Sequence, residues 1–146
     1  MKRRKVILVA IAVLIIGGGW YGYKEYTRKV PDLSRVRPDI TMDSRQLISS
    51  FEQDEAGSNA KYLDKIISVR GTVRAVERDE TGFYTVILND GEFMSSVRCS
   101  MDAEHQQDVA GLKEGAGVTI KGACTGFNSN ELLGSDVILN RGVLVK

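Results

Sequence analysis

Few residues in this chain can do chemistry, and their spacing narrows what that chemistry is. The 146 residues include two cysteines, Cys99 and Cys124, and one histidine, His105. Two thiols could close a disulfide in an oxidising compartment. They could equally stay as buried thiols that pack like small hydrophobes, since both fall on the apolar phase of alternating stretches. His105 stands in a polar run with Asp102, Glu104 and Asp108. A metal site wants further His or Cys ligands at defined spacing, which this chain does not offer. The expectation is a solvated helix face, with no metal or other cofactor. Gly17-Gly18-Gly19 and Gly115-Ala116-Gly117 lack the following residues that a phosphate loop requires. No nucleophile elbow is present, and one histidine does not make a Ser–His–Asp set. Glu52, Asp54 and Glu55 lack the alternating ligands of a calcium loop. The chain therefore does not read as an enzyme.

Charge is unevenly placed. Lys2, Arg3, Arg4 and Lys5 sit together at one end, and the rest of the chain carries 16 basic against 19 acidic residues. A mildly acidic body is a poor electrostatic partner for nucleic acid, whose binding rests largely on phosphate neutralisation.

Residues 6–23 hold no charge at all. As a helix they would rise about 27 Å, close to the thickness of a hydrocarbon core. Trp20, Tyr21 and Tyr23 stand where an interfacial aromatic belt would lie. The preferred reading is a single membrane span over residues 1–23. A cleaved signal peptide is the competing one, because Gly17 and Gly19 offer small residues after the apolar run. The absence of a polar face argues against a buried soluble helix. Cations on both flanks leave the count undecided, but four clustered cations favour keeping the N-terminus inside. The body would then be periplasmic or extracellular.

Residues 24–40 read as a linker, charged, aperiodic and holding both prolines. The body is expected over 41–146. Asp43 and Gln46 form a capping pattern, with Leu47, Ile48 and Phe51 on one helical face. Ala56, Ala60 and Leu63 extend it, although Gly57, Ser58 and Asn59 weaken the middle. From Ile66 the period becomes two: Ile67, Val69, Gly71, Val73 and Ala75 share one face, Arg70, Thr72 and Arg74 the other. FYTVILND forms a second strand, ending in an Asn-Asp-Gly turn at 89–91. FMSSVRCSM forms a third, with Phe93, Val97, Cys99 and Met101 in phase. Residues 102–112 suggest a short helix, then VTIKGACTG and DVILNRGVLV supply two more strands. Five strands with a helix between the third and fourth match the OB fold, a partly open Greek-key barrel. The fold class is thus mainly β with flanking helices, a five-stranded OB barrel preceded by an N-terminal transmembrane helix. Gly71 would permit the sharp bend of the first strand.

The runs NAKYLDKIISVRGTV (59–73), SSVRCSM (95–101) and LKEGAGVTIKGACTG (112–126) resemble the tRNA_anti-like family of OB-fold proteins, over about 43–146. The resemblance implies a small membrane-anchored or exported bacterial protein without an assigned activity. It also implies that Cys99 and Cys124 lie at opposite barrel ends and stay unbridged.

OB barrels commonly bind on the face of their second and third strands. The outward phase here holds Phe83, Thr85 and Ile87, then Met94, Ser96 and Arg98, with Arg70 and Arg74 from the first strand. An aromatic with nearby arginines could stack and clamp a single strand. Alternatively, Phe83 and Ile87 could pack beneath the helix that carries Leu47 and Phe51. The expected role is a membrane-tethered, non-catalytic binding module of the cell envelope, with a protein, peptide or small ligand favoured. A single-stranded nucleic-acid-binding module and a structural subunit of an envelope complex are the alternatives.

Overall fold

A computed structural model describes residues 2–27, 30–89 and 94–146. Asp90 and Gly91 of the expected Asn-Asp-Gly turn, and Phe93, lie outside the described residues. The chain divides into two units, residues 1–31 and 32–146.

The first unit is helix α1, Lys2–Tyr26. Its apolar side chains are exposed along its length, Leu14 at 74% and Trp20 at 76%. Residues Arg3–Tyr26 are long and apolar enough to cross a membrane. A helix that is apolar all round finds burial in lipid or in another protein.

The second unit starts inside the stretch read as linker. A 3-10 turn, Leu33–Arg35, is capped by the Asp32 side chain, and Leu33 is 1% exposed. Strand β1, Ile40–Asp43, then pairs in parallel with β2, Ile66–Arg78. Residues 32–40 thus pack with the body. Their charged, aperiodic sequence hides this because their contacts are made by two isolated apolar residues, Leu33 and Ile40, by backbone, and by the carboxylates of Asp32 and Asp39 with partners far along the chain.

Helix α2, Ser44–Gln53, begins with the expected box: Asp43 and Gln46 each accept from the other's backbone. The extension to Ala56, Ala60 and Leu63 is interrupted. Asp54 accepts from the Gly57 N–H and starts a separate helix α3, Glu55–Tyr62. The restart changes the phase, so Tyr62 is buried and Leu63 is 36% exposed.

The remaining strands are β3 (Tyr84–Leu88), β4 (Ser96–Met101), β5 (Gly117–Asn128) and β6 (Asp136–Leu144). The sheet runs β1-β2-β3-β4-β6-β5, and β5 pairs back onto β2. Five strands, β2 to β6, therefore close a barrel, with β1 as a sixth strand outside it. Between β4 and β5 lie a 3-10 turn (Ala103–His105) and helix α4 (Gln106–Val109).

β2 is the strand that both halves share. Its first part, Ile66–Thr72, pairs with β5, and from Val73 it pairs with β3. Gly71 sits at this handover. A Cβ there would lie 2.7 Å from Ser44 Oγ and 3.3 Å from the Leu88 Cβ, so the glycine also lets the start of α2 approach the strand. A bulge between Val73 and Ala75 then shifts the register. Past it, Val76 packs on the core, and Ala75 pairs with Ile87 instead of continuing the inward row.

The core holds Ile67, Val69, Val73, Val86, Leu88, Val97, Cys99, Ile120, Cys124, Val137 and Leu139 from the strands. Leu47, Ile48 and Phe51 of α2 join it. The Phe51 ring stacks on Phe127 at 5.1 Å and meets Tyr62 at 5.7 Å. The α2 face is therefore spent on the barrel interior and does not cover Phe83, which is 46% exposed.

Cys99 and Cys124 are free and buried. Both are register partners of Leu139, Cys99 on one side of β6 and Cys124 on the other. They lie at the same level of the barrel, not at opposite ends. What separates them is the intervening strand, about 10 Å across two strand spacings, beyond the roughly 7 Å reach of a disulfide. Burial pushes the Cys99 thiol up to about 12 and raises that of Cys124.

Candidate functional site

The seven residues expected to bind a ligand fall into four places. Thr85 and Ile87 of β3 and Arg98 of β4 form one patch on the outer barrel surface. Ile87 pairs with Arg98 on one side and Ala75 on the other, and Thr85 pairs with Glu77 and Ser100. Alternation puts these side chains outward, since Val86 and Leu88 take the core. Ile87 is nonetheless only 6% exposed, so it gives the patch a packed floor. Arg98 donates to Glu77 at 2.6 Å. Arg74, beside this patch at the bulge, is exposed.

Arg70 is elsewhere. Its register partners are Asp43 in β1 and Thr119 in β5. Its Nε donates to Asp43 at 3.1 Å, with the arginine side chain 74% exposed. It borders two open cavities. One, of about 540 Å³, is lined by Asp43, Arg45, Gln46, Thr72 and Gly117 among others, and the second, of about 480 Å³, by Gly117–Thr119 and Leu144–Lys146.

Phe83 and Met94 lie at opposite ends of β3, before its first residue and after its last. Phe83 belongs to the β2–β3 turn, where Asp79 accepts from the Thr81 and Phe83 N–H groups and the Thr81 hydroxyl. Those bonds, led by the Thr81 hydroxyl, hold the Asp79 carboxyl below its usual range. Arg78 covers the Tyr84 ring at 5.5 Å in the same hairpin. Met94, 64% exposed, packs against Gly134 of the β5–β6 loop. That loop also exposes Leu132 and Leu133.

A second constellation escaped the sequence reading. His105 is not a solvated residue of a helix face. Its Nε2 lies 3.0 Å from Asp32 Oδ1 and its Nδ1 3.2 Å from Asp108 Oδ2. Lys146 donates to the other Asp108 oxygen at 2.9 Å. Two carboxylates facing one ring ask for an N–H on both nitrogens, which only the imidazolium has. Desolvation alone would lower the His105 pKa, but the bonds to Asp108 and Asp32 outweigh it, and the pKa is raised. Asp32 is held to about 2, first by the Ser34 hydroxyl and backbone N–H and then by His105. Lys146 first, and then His105, lower the Asp108 pKa as well.

Lys121 of β5 lies beside this group. It is 7% exposed, and its ammonium donates to the carbonyls of Ser34 at 3.2 Å and Val36 at 2.7 Å. One signal in the sequence could have flagged it: a lysine alone inside the run Val118-Thr-Ile-Lys-Gly-Ala-Cys124. Ser34, His105, Asp108, Lys121 and residues 143–146 line a cavity of about 310 Å³. Among the described residues no three His, Cys, Asp or Glu side chains are grouped to hold a metal ion.

A closed five-stranded barrel with this strand order, a helix between its third and fourth strands and a second helix feeding the core define an OB-type domain. The pattern of the tRNA_anti-like family matches residues 1–138, and the chain belongs to that family. The match takes in the apolar helix, which the resemblance over 43–146 left out. No curated protein matches the chain. Among solved structures, it is similar to a Klebsiella pneumoniae lipoprotein to which nucleic-acid binding is provisionally ascribed. Identity is 21% and the TM-score 0.58, covering 72% of this chain and 91% of that one. That likeness concerns the fold. An aspartyl-tRNA synthetase of Entamoeba histolytica also aligns, at 13% identity and a TM-score of 0.46, over 82% of this chain and 23% of that one. That score is too low to bear on this protein.

Proposed function

We propose that the protein is a membrane-tethered, non-catalytic binding module whose OB domain faces out of the cytoplasm and takes a protein, peptide or small ligand. The observation that carries this reading is the charge balance of the outer surface. Arg98 is engaged by Glu77 and Arg70 by Asp43. A phosphate backbone would have to displace the protein's own carboxylates, which weakens the electrostatic term that nucleic-acid binding needs. The packed Ile87 floor between Thr85 and Arg98 suits a ligand with mixed apolar and polar groups. Helix α1 supplies the tether, with residues 1–23 as its span and Lys2–Lys5 on the inner side.

A second reading has its own support. The Arg78–Tyr84 stack and exposed Phe83 form the kind of cation and aromatic platform on which single strands stack. Glu77, Asp79 and Glu80 in the same hairpin oppose it.

A titration of the detergent-solubilised full chain against labelled single-stranded DNA and RNA separates the two. Our reading expects no binding at physiological salt and at most weak binding at low salt. Tight binding that falls steeply with salt, and that weakens in Phe83→Ala, would replace it with the nucleic-acid reading.

A further inference from the structure

The body carries an apolar cluster that its own fold leaves uncovered. Leu132 and Leu133 of the β5–β6 loop are 85% and 77% exposed, and the exposed Met94 stands against Gly134 of the same loop. The loop is braced. Asn130 Oδ1 accepts from the N–H groups of both Leu132 and Leu133 at 3.0 Å, and the Ser135 N–H donates to Ser95 Oγ at 3.1 Å. Gly134 turns the chain at φ +88°, where a Cβ would overlap the Met94 carbonyl. The two leucines are thus held clear of the surface. Side chains that project so far are covered only by something that surrounds them, a partner's pocket or a fluid apolar layer.

Chain length and charge choose the occupant. From Tyr26, where α1 ends, to Asp32, where the body begins, the chain spans at most about 22 Å when fully extended. That is less than the breadth of the body, whose radius of gyration is about 13 Å for its size. With α1 in a bilayer, the body is confined to the lipid surface. The two loops around the cluster carry no cation: residues 89–97 and 127–136 hold Asp90, Glu92, Glu131 and Asp136 but no lysine or arginine. Asp136 accepts from the Ser96 hydroxyl, and Glu52 brings a further carboxylate to Ser95. Anionic headgroups would be repelled here, and zwitterionic ones would not. We propose that Leu132, Leu133 and Met94 dip into the zwitterionic surface of the bilayer that α1 crosses. The apolar side chains enter the boundary between headgroups and acyl chains, where their burial is favourable, and the carboxylates stay at headgroup level. This inference rests on the membrane-tether reading and adds to it a second point of contact.

Tryptophan quenching of the full chain in phosphatidylcholine vesicles, with bromine on the upper acyl chains, tests this. Trp20 is the only tryptophan and reports α1 in the natural sequence. In a Trp20→Phe background, Leu132→Trp reports the loop, and Phe83→Trp reports the opposite end of β3. Emission from Trp20 and from the Leu132→Trp variant should be quenched, and emission from the Phe83→Trp variant should not. Adding Leu133→Asp, at a position the fold leaves exposed, should relieve the quenching in Leu132→Trp. Replacing half of the lipid by phosphatidylglycerol should leave that quenching equal or weaker. Unquenched emission in Leu132→Trp, with Trp20 quenched in the natural sequence, overturns the proposal and leaves the tether standing. Unquenched Trp20 overturns both. Equal quenching in Phe83→Trp and Leu132→Trp, or loop quenching that appears only with phosphatidylglycerol, also overturns the proposal, since the contact would then be unspecific or made by cations elsewhere.

Discussion

At the residue scale, Gly71 and His105 carry the sharpest expectations. A methyl group at Gly71 would press on Ser44 Oγ at 2.7 Å, and that hydroxyl is itself buried without a partner. Gly71→Ala should therefore cost about 1–3 kcal/mol, the usual penalty for overpacking, read as a lower urea midpoint. His105 makes stability depend on pH. Its neighbours from every side are Asp32, Asp108, Lys146 through Asp108, and Lys121 across the cavity. Because the folded pKa is raised above 6.5, its contribution is complete below that value and is lost as pH rises through the folded pKa. Asp32 acts at the other end: its contribution is complete above 3.8 and fades as pH falls toward about 2. The thermal midpoint should drop between about pH 5.5 and about pH 8.5, either side of the ordinary histidine range. His105→Gln should show a smaller drop, and an equal drop in both proteins would assign the effect to other groups.

At the element scale, the 3-10 turn Leu33–Arg35 is part of the barrel's outer wall. It packs on β5 and β6, where Lys121 pairs with Val143. Leu33→Ala should cost about 2–4 kcal/mol, as for other fully buried leucines. Val30→Ala, three residues earlier at 66% exposure, should change the urea midpoint little. Equal effects would mean that the turn contributes nothing to the body. The five barrel strands were legible, because alternation is a local property of consecutive residues; the four-residue β1 was too short to show it. The phase beyond Arg74 was not, because a bulge is decided by how β2 meets β3. The break between α2 and α3 was half visible: Gly57 weakened the helix, but that Asp54 would recap it depends on which helical face the barrel accepts.

At the scale of the whole molecule, the closed sheet governs the thiols. With β6 standing between Cys99 and Cys124 and both side chains buried, neither should react with a thiol reagent in the folded protein. Reaction should appear only with global unfolding, at the same urea concentration as the loss of β-sheet signal. A disulfide under mild oxidation would require strands that the structure holds apart to meet. The sequence by itself determined the apolar helix, the five barrel strands and the Asp43–Gln46 cap, because hydropathy, alternation and capping each act within a few residues. Tertiary structure alone decided that the candidate binding residues separate into four places, that Ile40–Asp43 pairs with β2 as a strand and that the Asp32–Val36 segment belongs to the body. It also decided that His105 bridges Asp32 and Asp108. The partners of Lys121 lie 85 and 87 residues earlier in the chain, and Asp32 lies 73 residues from His105. Such pairs carry no local pattern, since they exist only once closure of the barrel sets those segments side by side.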